Sequence, residues 1–118
     1  MNEQKEKTII SYEEFEQVNI RLGTITKDEE FKRARKPAYK VWVDFGEGIG
    51  ELQTSAQITV LYTPDSLIGQ QVAGCINLGE RNIAGFMSQF LLLGFSNEEG
   101  AICLVSTDPN GKNGTKLS

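Results

Sequence analysis

Histidine is missing from this chain of 118 residues. Its absence removes the Ser-His and Cys-His nucleophilic dyads and every histidine metal site. Cysteine is scarce. Cys75 and Cys103 are the only two, and both sit in apolar, strand-like runs. The expectation is two buried free thiols in a reducing cytoplasm, with a disulfide left open. No Cys-x-x-Cys, P-loop or dinucleotide fingerprint is present. No pair of carboxylates stands out as an acid/base couple, because the acids lie in turns and in the N-terminal segment. An enzyme would have to run on carboxylates or lysine alone. The expectation is therefore a non-enzyme with no cofactor, no metal and no catalytic residue. Long apolar runs are lacking too. The densest, Phe90 to Phe95, is too short for a membrane span. The polar start, Met1 to Thr8, does not read as a signal peptide, so the expected location is the cytoplasm.

The length suits one domain, large enough to bury roughly two-thirds of its unfolded surface. Twelve glycines and many short apolar runs favour a β-rich class. The formal net charge is −4, yet six of the twelve Lys and Arg residues fall between Lys27 and Lys40. An acidic protein with one concentrated basic loop points to a local anionic partner. The competing reading is a solvated loop that balances Asp28, Glu29 and Glu30.

In chain order, residues 1–10 read as a flexible leader and residues 11–118 as a single domain. Ser11-Tyr12-Glu13-Glu14 is a capping box opening a short helix from Tyr12 to Val18. This helix would plug an open barrel end or form a dimer seam. Val18 to Thr26 alternates, with Val18, Ile20, Leu22 and Thr24 on one face, and Gly23 suggests a bulge or bend. Tyr39, Val41, Val43 and Phe45 share one face of the next strand. Trp42 lies on the nominally polar face, where packing under a loop is expected. Gly46 to Gly50 makes a hairpin turn. The return strand puts Leu52, Thr54, Ala56 and Ile58 on one face and Gln53, Ser55 and Gln57 on the other. Thr63-Pro64 to Gly69 is one capped helical turn. Counting the hairpin's return strand with its partner, Gln71–Asn77 is the third main strand, Phe90–Phe95, read as buried, the fourth, and Ala101–Val105 the fifth. Asn97 to Gly100 forms the last hairpin. This order, with one short helix mid-chain, describes an all-β, five-stranded oligonucleotide/oligosaccharide-binding (OB) barrel. A small sandwich and an SH3-like barrel share the same period.

Two features carry the candidate site. One is the basic connection, with Lys32, Arg33, Arg35, Lys36, Pro37 and Lys40. The other is Asn77 to Gln89, which holds the lone Arg81 and the tetrapeptide Gly85-Phe86-Met87-Ser88. Gly85 would permit a turn that a side chain opposes. The fold is expected to bring both features beside the uncharged strand face of Gln53, Ser55 and Gln57. Tyr39 fits the core by its alternation. Phe86 and Met87 fit either core or a binding-site lining, and Phe86 could stack on a base. Arg81 fits either a surface ion pair or an anchor for a carboxylate or phosphate.

Several blocks together resemble the CsaA family of small bacterial secretion-related chaperones. They are Ile20-Arg21-Leu22-Gly23-Thr24-Ile25, Ala34-Arg35-Lys36-Pro37-Ala38-Tyr39-Lys40, Asp44-Phe45-Gly46, Ser55-Ala56-Gln57-Ile58-Thr59, Tyr62-Thr63-Pro64, and Arg81 with Ile83-Ala84-Gly85-Phe86-Met87-Ser88. The match runs from about Phe15 to Leu117. CsaA proteins in turn resemble the OB-fold tRNA-binding domain. The resemblance implies a homodimeric OB-fold chaperone in protein export. It would bind unfolded or precursor proteins and contact the translocation ATPase. Lys36, Pro37, Ser55, Gln57, Arg81, Phe86 and Ser88 carry over as its pocket. The alternative it implies is a tRNA-binding module. CsaA sequences usually carry Pro-Pro where this chain has Gly79-Glu80, and Glu where it has Gln89. Phe90 stands where tRNA-binding relatives usually have a glycine, which would close a backbone approach to the ligand. A dimeric scaffold without a ligand is a third reading. The expected dimer seam is the N-terminal helix plus the C-terminal tail.

Overall fold

The computed structural model describes residues 8–118; most of the expected leader therefore lies outside the described residues. The elements are α1 (Tyr12–Glu16), β1 (Ile20–Glu30), β2 (Tyr39–Asp44), β3 (Glu51–Ala56), α2 (Pro64–Leu67), β4 (Gln71–Cys75), β5 (Arg81–Ile83), β6 (Phe86–Ser88), β7 (Leu91–Leu92), β8 (Gly94–Ser96) and β9 (Ile102–Leu104). One antiparallel sheet runs in the order β3-β2-β1-β4-β7, and β5-β6 and β8-β9 are two-stranded hairpins. The main sheet curls until its two ends meet. Gln89 N donates to Gln53 O at 2.8 Å, and Thr54 Oγ1 donates to Phe90 O at 2.6 Å. These bonds nearly close the five-stranded OB barrel.

Alternation builds the core. Tyr39, Val41, Val43 and Phe45 are buried, with Thr54 and Ile58 from the return strand, and Leu67 of α2 fills one end. Each large aliphatic or aromatic side chain so buried stabilises the fold by about 1.5–3 kcal/mol. Both capping boxes form: Ser11 with Glu14, and Thr63 with Ser66 ahead of Pro64. They satisfy the orphan N–H groups of helices too short to persist alone.

Four expectations change. First, the buried positions of β1 are Gly23 and Ile25, not the face of Ile20, Leu22 and Thr24. The register slips between Ile25 and Lys27 rather than at Gly23. A Cβ at Gly23 would meet Val43 Cγ1 at 2.5 Å, so the glycine serves close packing across the barrel. Second, Phe90–Phe95 is not one buried strand. It divides at Leu93, whose N donates to Ala73 O while its own O accepts from Val105 N. Phe90 points inward, but Leu91 is 51% exposed and Phe95 73%. The run is apolar because its outer side chains form a surface. Third, α1 ends at Glu16, has no buried residue, and so does not plug the barrel. Fourth, both cysteines are free, but only Cys75 is buried; Cys103 points outward from β9, opposite Phe95.

The C-terminal tail is bonded to the outer edge of β1. Gly114 N donates to Leu22 O, Leu22 N to Thr115 O and Leu117 N to Ile20 O. Lys116 Nζ reaches Glu16 O at 3.1 Å, which brings the tail against α1. Beside the tail runs an outer groove of about 520 Å³, lined mainly by Ile20, Leu22, Leu93, Phe95, Val105 and Leu117.

Candidate binding surface

The basic loop is held by its ends. Phe31 and Ala38 are buried, and Phe31 N donates to Ala38 O at 3.0 Å. A second bond, Ala34 N to Phe31 O at 3.2 Å, tightens the turn. This anchoring pushes Lys32, Arg33, Arg35, Lys36 and Pro37 into solvent. Among the described residues none of the loop's cations forms an ion pair; the single ion pair joins Lys27 to Glu29. The loop is therefore not neutralised by its acidic neighbours. A cavity of about 430 Å³ opens beside it, with Phe31, Lys32, Arg35, Pro37, Tyr39 and Thr59 in its wall.

The hairpin β5–β6 lies next to the loop. Ala84 and Gly85 both have positive φ, 50° and 87°, the backbone of a tight type I′ turn. Asn82 Oδ1 accepts from Gly85 N at 2.8 Å and locks it. Phe86 then packs edge-on against Phe31 (centroids 5.6 Å) and Trp42 (5.8 Å). Lys40 Nζ stands 5.1 Å from the centres of both Phe31 and Phe86, and Lys27 Nζ 4.7 Å from that of Trp42. Trp42 thus packs under a connection, as expected. This cluster ties loop, hairpin and sheet into one unit. It also places Arg33 at the hairpin tip, its Nη1 3.9 Å from where a Cβ on Gly85 would stand.

Below the hairpin, polar side chains join it to β3. Ser88 Oγ accepts from Ser55 N at 3.0 Å, Met87 O from Gln53 Nε2 at 2.9 Å, and Gln89 Oε1 from Gln53 N at 3.0 Å. The strand face of Gln53 and Ser55 is therefore covered by the hairpin rather than open, and Ser88 is buried beneath it. Met87 points out of the hairpin's other side, 38% exposed. Gln57 is exposed beyond the end of β3.

The fold thus brings Arg33 and Lys40 of the basic segment to Phe86, joins Ser55, Ser88 and Gln89 beneath the same hairpin, leaves Lys32, Arg35, Lys36 and Pro37 exposed on the loop, and turns Met87 to the hairpin's far face. Arg81 sits at the base of the same hairpin, opposite Ser88, exposed and without an ion pair. Asn77 does not join them. Its side chain accepts from Asn19 N at 3.0 Å and donates to Gln17 O at 2.6 Å, fastening the segment after α1 to the end of β4. Phe31 and Trp42 join the site although no motif in the sequence marks them as binding residues. A tryptophan on a polar strand face was the one signal that a cover was needed.

Tyr39 OH donates to Tyr62 O at 2.8 Å; burial first, then Glu30 and Asp28, raises its phenol above the usual value, so it is a neutral donor. Phe90 points away from the surface. Its ring lies inside the barrel, 5.1 Å from Phe45, and not on the surface. Among the described residues no group of three His, Cys, Asp or Glu side chains could hold a metal, and no helix is long and apolar enough to cross a membrane.

A nearly closed OB barrel with a cationic loop and an apolar, exposed flank defines a binding domain. The chain belongs to the family described as "Putative tRNA binding domain", whose model matches residues 20–116. It is 35% identical to a methionine–tRNA ligase of Chlorobium chlorochromatii over 94% of this chain, but spans only 15% of that enzyme's length. Two solved structures correspond over their whole length. The CsaA chaperone of Bacillus anthracis is 43% identical with a TM-score of 0.88, covering 94% of this chain and 100% of that one. The CsaA chaperone protein of Picrophilus torridus is 38% identical with a TM-score of 0.87, covering 93% and 100%.

Proposed function

We propose that this protein is a CsaA-like chaperone, a binding protein and not a catalyst, that holds unfolded or precursor segments during protein export in the cytoplasm. The observation that carries this reading is its 43% and 38% identity to two CsaA chaperone structures, against 35% to the ligase. The surface supports it. Unpaired cations on residues 32–40 stand beside a partly apolar cavity, and Met87 is exposed on the far face of the neighbouring hairpin, which suits peptide segments that mix apolar and acidic side chains. The translocation ATPase is the proposed downstream partner. A homodimer would cover Phe95 and the groove beside the tail, with α1 and the tail as its rim. A dimer presents two copies of the site to one long chain and so gains avidity.

A second reading is favoured by the family description: tRNA binding through the same loop. Here the loop cations would contact phosphates. Phe86 is less suited to base stacking than its sequence suggests, because Phe31, Trp42 and Lys40 already surround it.

Fluorescence anisotropy with labelled tRNA and with a labelled unfolded precursor peptide, each across a salt series, separates the two. Neutralising ~3–5 phosphates gives a slope of roughly −3 to −5 in log affinity against log salt. A saturable, salt-tolerant peptide signal lost in Met87→Asp supports the chaperone. Tight tRNA binding that collapses with salt and with Lys36→Glu, with no peptide signal, refutes it.

A further inference from the structure

Among the described residues the hairpin β5–β6 is bonded on one side only. β6 faces β3 through Met87 O, Ser88 Oγ and Gln89. The ladder partner of β5 is β6 alone. In a hairpin closed by two turn residues, Ile83 and Phe86 form the first hydrogen-bonded pair, and Asn82 and Met87 the next, non-bonded pair. The main-chain groups of such a pair point away from the partner strand. Met87 bears this out, since its carbonyl accepts from Gln53 on the far side. By the same rule the N–H and C=O of Asn82 point outward from β5, where the residue is exposed. No backbone bond from Asn82 beyond this ladder is formed among the described residues.

We propose that the outer edge of β5 takes an extended polypeptide segment as a third strand, bonded to the main-chain N–H and C=O of Asn82. This inference rests on the chaperone reading and names how its client is held. Strand addition draws affinity from the main chain, which every client shares, and leaves side chains to tune it. That is the chemistry a protein with many clients requires. Charge selects the occupant. Arg33 stands at the hairpin tip and Arg81 at its base, both exposed and neither in an ion pair among the described residues. Glu80 adjoins Arg81 at the base. The segment favoured is therefore acidic where it passes the tip. Met87 and the side chain of Asn82 share the outward face of the hairpin, so apolar and small polar residues fit alongside.

Asn82→Pro removes the outward N–H while leaving the main-chain ladder between β5 and β6 intact, since proline is tolerated where an edge strand's N–H faces solvent. Asn82→Ala is the matched control, because both variants lose the side-chain bond to Gly85. The probe is a labelled peptide of about twelve residues alternating valine and threonine and ending in glutamates. Anisotropy should show Asn82→Pro binding roughly tenfold more weakly than Asn82→Ala. Amide exchange at Asn82, fast in the free protein, should slow when peptide is added. The emission of Trp42, which touches Phe86 of this hairpin, reports whether each variant keeps its fold. Equal binding by both variants, with no protection at Asn82, overturns strand addition and leaves the chaperone reading standing. No peptide binding by the native chain overturns both. Protection of Asn82 by tRNA but not by peptide likewise overturns the inference and assigns the edge to RNA.

Discussion

Gln53 and Gln89 are bonded to each other twice, main chain to main chain at 2.8 Å and main chain to side chain at 3.0 Å. The pair reproduces a rung of β-ladder where β3 meets the chain leaving the hairpin. It closes the barrel and seats the hairpin on the sheet in one contact. Gln89→Leu leaves Gln53 N without its acceptor and should cost about 1–3 kcal/mol in urea unfolding. Gln89→Glu keeps an acceptor oxygen in place and should cost less. Equal losses would mean that the side-chain bond is not what holds this junction.

Gly74 lies in β4 against two core rings. A Cβ there would meet Phe90 Cδ2 at 2.8 Å and Phe45 Cζ at 3.0 Å. Those rings are packed edge to face and have no free volume to enter. Gly74→Ala should destabilise by about 1–3 kcal/mol, seen as a lower urea midpoint at unchanged slope. Gly74→Ala combined with Phe90→Leu should recover part of that loss.

Phe86 is the link between loop and hairpin. Phe86→Ala removes two edge-to-face contacts and should cost about 1–3 kcal/mol. Trp42 is the single tryptophan of the chain, so the same change should shift the emission maximum to the red. An unmoved maximum would show that Trp42 is covered by something other than this ring.

Asp28 is half-buried in β1, and its Oδ2 has no hydrogen-bond partner among the described residues. Desolvation first, and the nearby Asp65 second, raise its carboxyl above the ordinary value of 3.8. A carboxyl raised in the folded state favours the fold when protonated. That contribution is whole below 3.8 and is lost as pH rises through the raised value. Asp28→Asn should therefore raise the melting temperature at pH 7, and the gain should shrink on acidification and vanish below pH 3.8. A gain that persists at low pH would trace to packing and not to charge.

What was legible in the sequence was what neighbours in the chain decide. Ser11 with Glu14 and Thr63 with Pro64 carry their caps within three residues, and Gly85 marks its turn alone, so they read correctly without a fold; that Ala84 and Gly85 close a hairpin of two strands did not show. The alternation from Tyr39 to Phe45 fixed the inward face of β2, because every second residue there is large and apolar. β1 did not read correctly. Its inward face includes a glycine, which carries no hydrophobic signal, and the strand slips at Thr26.

The sequence by itself determined a β-rich class, its capped turns and a cationic loop, since short-range sterics and side-chain hydrogen bonds act whatever lies beyond. Only the tertiary structure decided what meets what. Gln53 finds Gln89, and Ser55 finds Ser88, across more than thirty residues of chain. Phe90 turns inward while Leu91 and Phe95 turn out, and Phe86 wedges between Phe31 and Trp42. These choices depend on how the sheet curls and closes, and closure is set by packing between strands far apart in sequence, which no local pattern encodes.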